Sequence, residues 1–143
     1  MHAGEMGWDD ADRERRVGFR RPVWEGSGVD SSGRFLQGVF SFVGKGLEAP
    51  FLLAGELRYV VPDGVVAQPV YLRGGNSSDE LVCVILMRDG VPMRYFPVGA
   101  KAGTHVSLRV VEDLEPGTVV ELYVAAPDGV PGTLVVDLGL VEV

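Results

Sequence analysis

The stretch Glu80–Val98, ELVCVILMRDGVPMRYFPV, decides the fold class of this chain. Two runs rich in branched and aromatic residues, Glu80–Arg88 and Val91–Val98, flank the dipeptide Asp89-Gly90. Asp-Gly is a preferred dipeptide of two-residue type I′ turns, because both central residues of that turn need a positive φ angle. The stretch therefore predicts a β-hairpin of two antiparallel strands.

Similar apolar runs continue on both sides of this hairpin, at intervals of about eight to twelve residues, which is the spacing of sandwich strands. Six of them are candidate strands: Phe35–Val43, Phe51–Val61, Gln68–Arg73, His105–Val111, Thr118–Ala126 and Thr133–Val143. Apolar and polar positions alternate in the last three, which is typical of half-buried antiparallel strands. With the hairpin, about eight strands predict an all-β antiparallel sandwich of jelly-roll or immunoglobulin-like type.

Composition divides the chain into two parts. Residues 1–34 contain six arginines and seven acidic residues, a net charge of −1, and almost no aliphatic side chains. Glycine and proline interrupt any helical periodicity there, so we expect an extended, largely irregular N-terminal arm. Residues 35–143 carry seven basic and thirteen acidic residues, a net charge of −6. We expect this second part to form the β-sandwich domain.

Global properties exclude several classes of function. The 143 residues are 46% hydrophobic, enough for one domain with a core, and a single cysteine excludes an internal disulfide framework. The net charge of −7 argues against a nucleic-acid partner. No apolar run approaches the roughly 20 residues of a membrane span. Because no apolar leader follows Met1, we expect a cytoplasmic location.

The candidate strand Glu80–Arg88 is apolar on both faces. One face carries Leu81, Cys83, Ile85 and Met87, and the other carries Val82, Val84 and Leu86. A strand of a two-sheet sandwich has only one core face, so the second face needs a cover. The N-terminal arm, a subunit interface or the inside of a strongly curled barrel would each supply one. We expect Val82, Val84 and Leu86 to take part in such an interface.

The arm has the composition of a binding segment. Its candidate partner-binding residues are Arg13, Arg15, Arg16, Phe19, Arg20, Arg21 and Trp24. Arginine and tryptophan are enriched among the residues that contribute most to binding energy, and a segment too polar to fold alone can order on a partner. Docking on the chain's own acidic domain is the simplest alternative, and binding to nucleic acid is disfavoured by the interleaved acidic residues.

Residues for catalysis are scarce. His105 is the only histidine outside the arm, and it falls on the polar face of its strand. We expect Cys83 to be buried among aliphatic residues, with a raised pKa, and therefore unreactive. The acidic group Glu112–Glu115 leads into the turn Glu115-Pro116-Gly117 and matches no calcium-binding loop. We therefore expect no enzymatic activity, no cofactor and no metal.

These features lead to two hypotheses. The first is a non-enzymatic protein-interaction module, a small accessory subunit or homo-oligomer assembled through the arm and the apolar sheet face. The alternative is a ligand-binding sandwich of the carbohydrate type, which needs aromatic platforms. The candidate platforms are Tyr71, Tyr95, Phe96 and Tyr123, and three of them on one exposed sheet face would favour this alternative.

Overall fold

The computed structural model describes residues 32–143. These residues form nine β-strands and no helix. The strands are β1 (Ser32–Val43), β2 (Gly46–Leu52), β3 (Arg58–Val60), β4 (Ala67–Asn76), β5 (Val82–Arg88), β6 (Val91–Val98), β7 (Gly103–Ser107), β8 (Val119–Ala126) and β9 (Pro131–Glu142). No helix in this part of the chain is therefore available to cross a membrane.

The strands form two antiparallel sheets, as the sequence predicts. Sheet A has the order β1-β9-β4-β7, and sheet B has the order β2-β8-β5-β6, with β3 also paired to β8. The chain changes sheet six times: between β1 and β2, β3 and β4, β4 and β5, β6 and β7, β7 and β8, and β8 and β9. This repeated crossing is the connectivity of a jelly roll, one of the two sandwich types left open by the sequence.

The core lies between the inner faces of the two sheets, and alternation along the strands determines which side chains reach it. On β8, the inward residues Val120, Leu122 and Val124 are fully buried. On β9, the fully buried side chains are Leu134, Val136, Leu138 and Leu140. Both sets are the ones that the alternating sequence pattern predicts.

The core face of β5 corrects one prediction. Val82, Val84 and Leu86 are each 0% exposed and belong to the main core cluster. The prediction that these three side chains contact a partner is therefore wrong, because the opposite sheet already covers them. The second apolar face of β5, with Ile85 and Met87, is the outer face of sheet B.

Three predicted boundaries also differ from the structure. The segment Phe51–Val61 is two strands, because the chain turns after β2 and the amide of Leu57 donates to the carbonyl of Ala54 at 3.0 Å. The strand that contains His105 ends at Ser107. The amide of Leu108 still donates to the carbonyl of Val70 on β4, and the residues directly after it belong to no strand. The arm, predicted for residues 1–34, lies outside the described residues except for its last three, which belong to β1.

A buried carboxylate joins the two sheets where β1 begins. Glu142 of β9 is only 5% exposed, and its Oε2 lies 3.2 Å from the Nε of Arg34 on β1. The same oxygen accepts a hydrogen bond from the hydroxyl of Tyr59 on β3, in the other sheet. Burial, and then the hydrogen bond to Glu142 and its charge, raise the pKa of Tyr59. The two partners compensate the cost of burying the Glu142 carboxylate. Removing either partner would leave part of that desolvation cost uncompensated and would destabilise the folded protein.

The hairpin turn gives the first prediction. Asp89 and Gly90 have φ angles of 50° and 80°, as a type I′ turn requires. We expect Gly90→Val to lower the free energy of unfolding by roughly 1–2 kcal/mol, because a β-branched residue resists a positive φ angle. Urea unfolding measures this loss. Gly55→Val is the matched control, since an added Cβ meets open space at both positions but only Gly90 has a positive φ angle. An equal loss in both variants would contradict the assignment.

The second prediction concerns alkaline pH. The unfolded chain releases the Tyr59 proton near pH 10, whereas the folded protein retains it, so the free energy of unfolding should fall as the pH rises above about 10. We expect Tyr59→Phe to reduce the difference between the urea midpoints at pH 8 and pH 11. The change in urea midpoint between pH 8 and pH 11 is the readout. The midpoint at a single pH is not, because the variant also loses the hydrogen bond to Glu142 at both pH values. An unchanged difference would show that Tyr59 does not contribute.

Candidate functional site

The outer face of sheet A is open to solvent and carries aromatic and polar side chains in two rows. Phe35, Gly139 and Tyr71 are register partners on β1, β9 and β4. The second row lies two residues further along the strands and contains Gln37, Asp137, Arg73 and His105. These seven residues are called the sheet-A face below. Register partners on one face lie about 5 Å apart, so the two rows form one continuous surface.

The Tyr71 ring lies across the backbone of Gly139. A Cβ built at residue 139 would lie 2.1 Å from Cε2 of Tyr71 and 2.7 Å from both Cδ2 and Cζ. Any side chain at this position would therefore displace the ring. Glycine leaves room for the ring to lie against the strand backbone, and the ring is half-buried. The result is an aromatic platform whose position is set by a close approach to the backbone.

Asp137 fixes the far end of this platform. Its Oδ1 accepts a hydrogen bond of 3.1 Å from the Tyr71 hydroxyl, and its Oδ2 lies 3.1 Å from Nη2 of Arg73. Burial raises the pKa of Tyr71, and the charge of Asp137 adds to the effect. The hydroxyl therefore stays protonated and remains a donor to the carboxylate. The ring, the carboxylate and the guanidinium form one hydrogen-bonded unit.

His105 and Arg73 border the platform. The His105 ring meets Tyr71 edge to face, with ring centroids 6.2 Å apart and an interplanar angle of 88°. The guanidinium carbon of Arg73 lies 5.8 Å from the Tyr71 centroid. Both side chains are exposed, which agrees with the surface position predicted for His105. Their donors and acceptors lie beside the aromatic ring, where a bound molecule would meet both.

The groups on this surface are those of a noncovalent binding site. Between residues 32 and 143, no group of three or more histidine, cysteine or acidic residues could hold a metal ion. The Asp137 carboxylate accepts hydrogen bonds from Tyr71 and Arg73. What the face offers is an aromatic surface for stacking and polar groups for hydrogen bonds.

The outer face of sheet B is different because its centre is buried. Ile85 lies between Tyr123 of β8 and Tyr95 of β6 in the strand register. Ile85, Met87 and Ala125 form a small apolar cluster of their own, against which Cys83 and Tyr123 pack. Cys83 is thus half-buried on this face, not within the core as the sequence suggested. Burial nevertheless raises the pKa of its thiol, as predicted.

The predicted site residues do not converge on one surface. The arm residues Arg13, Arg15, Arg16, Phe19, Arg20, Arg21 and Trp24 lie outside the described residues, and their role stays a prediction. Among the aromatic candidates, Tyr71 lies on sheet A, Tyr95 and Tyr123 share the outer face of sheet B, and Phe96 is buried in the core. The condition of three aromatic platforms on one exposed face is therefore not met by that set.

Sequence reasoning missed most of the sheet-A face. Alternation along β9 does place Asp137 and Gly139 outward, opposite the buried leucines. Phe35 and Gln37 gave no such signal, because their relation to Tyr71 depends on β9 lying between β1 and β4. This strand order brings Phe35 and Tyr71, more than thirty positions apart, together with Gly139, more than sixty positions after Tyr71. No local sequence pattern encodes such contacts.

No protein-family model and no curated protein matches the sequence. Solved structures with a similar fold include the CBM36-1 domain of a multidomain xylanase from the hindgut metagenome of Trinervitermes trinervoides. That similarity has a TM-score of 0.50 at 16% identity and covers 76% of this chain and 96% of the domain. The carbohydrate-binding module CBM36 in complex with calcium and xylotriose gives a TM-score of 0.49 at 14% identity, over 76% of this chain and 97% of the module. At 16% identity, the similarity to the CBM36-1 domain shows a shared β-sandwich fold.

Proposed function

We propose that the chain is a non-catalytic ligand-binding module that binds carbohydrate on the sheet-A face. The observation that carries the proposal is the half-buried Tyr71 ring, which lies against Gly139 and is bordered by Asp137 and Arg73. Sugar rings present apolar C–H faces and a rim of hydroxyl groups. A ligand of this chemistry can stack on the aromatic face while its hydroxyls bond to the carboxylate, guanidinium and imidazole groups.

The arrangement of the rows favours a chain-like ligand over a single sugar. Phe35 and Tyr71 lie on either side of Gly139, on strands separated by two strand spacings, or about 9.5 Å. Both side chains are partly exposed. A polysaccharide running across the strands could therefore contact both aromatic residues with different sugar units.

The structural neighbour guides the choice of the first ligand. A β-sandwich fold supports many functions, so the fold alone does not identify what this chain binds. The neighbouring domain belongs to a xylanase, and xylan is for that reason the first polysaccharide to test, beside cellulose, β-glucan and starch.

The protein-interaction hypothesis has less support for this surface. Its candidate residues on β5, Val82, Val84 and Leu86, are core residues, and the arm, its other candidate element, lies outside the described residues. The sheet-A face combines an aromatic first row with a second row, Gln37, Asp137, Arg73 and His105, that is polar or charged. Binding of a hydroxyl-rich ligand fits this mixed surface better.

The third prediction tests the proposal. We expect Tyr71→Ala to weaken polysaccharide binding about tenfold or more, equal to about 1.4 kcal/mol, because the stacking platform is lost. Tyr71→Phe should retain most of the affinity, since it keeps the ring and loses only the hydrogen bond to Asp137. Affinity electrophoresis followed by titration calorimetry measures both.

Tyr95→Ala is the matched control for this experiment. It removes the same residue type from an exposed position on the other sheet, where the side chain is 62% exposed. Its affinity should equal that of the parent protein. If Tyr95→Ala weakens binding as much as Tyr71→Ala, the site lies elsewhere, and if the parent binds none of the polysaccharides, the carbohydrate proposal fails.

A further inference from the structure

The outer face of sheet B contains three side chains that are buried without an evident cover. Ile85, Met87 and Ala125 are 3%, 5% and 1% exposed. Since Val84 and Leu86 point into the core, alternation along β5 directs Ile85 and Met87 away from it. Ala125 lies beside Cys83 on the same face. These three side chains are called the sheet-B patch below.

The described neighbours flank this patch but do not lie above it. Cys83 and Tyr123, which pack against it, belong to the same sheet face. Side chains on one face of a sheet stand side by side, roughly perpendicular to the strands, so they close the sides of a neighbour and leave its top open. Tyr95, on the other side of Ile85, is 62% exposed. The near-complete burial of the patch therefore requires a further layer.

The start of β1 lies on the correct side of the sandwich for the N-terminal segment to provide that layer. Ser32 is the register partner of Glu142, and the Glu142 carboxylate contacts Tyr59 of β3 in sheet B. In sheet B, β3 neighbours β8, and β8 neighbours β5. Two strand spacings, about 10 Å, thus separate β3 from β5. Because Ser32 lies in sheet A, the path to the patch also includes the separation of the two sheets, about another 10 Å. The seven residues 25–31 can extend up to about 23 Å, which is enough for the preceding residues to reach the patch.

The segment 13–24 has the composition that such a cover needs. It contains two aromatic residues, Phe19 and Trp24, within a sequence that has five arginines. Aromatic rings can bury the aliphatic patch, while arginine stems cover apolar surface and keep their charge in water. Glu121, in the register row of Met87, adds a carboxylate at the border of the patch, 3.7 Å from Arg58. The domain of residues 35–143, with its charge of −6, attracts this basic segment.

We propose that residues 13–24 of this chain bind across the outer face of sheet B and cover Ile85, Met87 and Ala125. The arm is then a part of the folded protein that seals the second apolar face of β5. This surface is on the opposite side of the sandwich from the sheet-A face, so the proposal does not depend on carbohydrate binding.

The fourth prediction uses Cys83, the only cysteine, as a reporter at the border of the patch. In the full chain, we expect Trp24→Ala to raise the rate of Cys83 labelling by a maleimide several-fold, because the cover is weakened. Uncovering also lowers the thiol pKa, which burial raises in the parent, and so increases the reactive thiolate fraction. Trp8→Ala is the matched control, since it removes the same residue type from outside the segment, and its rate should equal that of the parent.

A second measurement identifies the occupant. Single cysteines at Val17, Phe19, Val23 and Trp24 are introduced in turn into the full chain, and each variant is oxidised. A disulfide needs Cα atoms about 4.4–6.8 Å apart, so at least one position should form a bond to Cys83 within the same chain. Met6→Cys, outside the segment, should not. Peptide mapping and non-reducing electrophoresis distinguish bonds within one chain from bonds between chains.

The outcomes separate the proposal from its competitors. An intrachain bond from the segment to Cys83 supports it, even if Trp24→Ala fails to fold. Bonds only between chains, together with a dimeric size in solution, would assign the patch to a second copy and overturn it. Labelling at the parent rate in a folded Trp24→Ala variant, together with no bond from any of the four positions, would also overturn it. Polysaccharide binding should be unaffected by Trp24→Ala, which keeps this test separate from the proposed function.

Discussion

The packing of β9 against the core is the constraint on which the rest of the structure depends. Its inward side chains Leu134, Val136, Leu138 and Leu140 are almost completely buried, so the register of this strand cannot shift by one residue without moving all four into solvent. That constraint also fixes the opposite face. Because the period of a strand is two, Asp137 and Gly139 must point outward, beside Tyr71 and Arg73 of β4. The core thereby positions the polar and aromatic groups of the sheet-A face.

The two outer faces of the sandwich show two different uses of the same geometry. On sheet A, a glycine lets an aromatic ring lie on the strand, and a carboxylate holds the ring by its hydroxyl. The face therefore stays open and is suited to a ligand. On sheet B, Ile85 and Met87 occupy the equivalent outward positions and are buried. Aliphatic side chains gain free energy only when they leave water, so this face is suited to a permanent cover.

Glu142, with its partners Arg34 and Tyr59, links the two sheets through side-chain contacts. Its carboxylate is contacted by Arg34 of β1 and by Tyr59 of β3, so it joins the edge of sheet A to sheet B at the point where the described chain begins. A buried charge of this kind contributes to specificity because only one arrangement of the strands satisfies it. In this protein it also places the end of the N-terminal segment near β3, from which the sheet-B patch can be reached.

The sequence by itself determined the class of fold, the β5–β6 hairpin and the inward faces of β8 and β9, because each depends on a local pattern: a turn dipeptide or an alternation along one strand. It also indicated that β5 is apolar on both faces, but not which face belongs to the core, since both contain aliphatic residues. Tertiary structure decided that Val82, Val84 and Leu86 point inward. It also decided that β9 separates β1 from β4, which brings Phe35, Gly139 and Tyr71 together. The order of strands in a sheet depends on which apolar surfaces are buried when the whole chain packs. No single segment of the sequence determines this order.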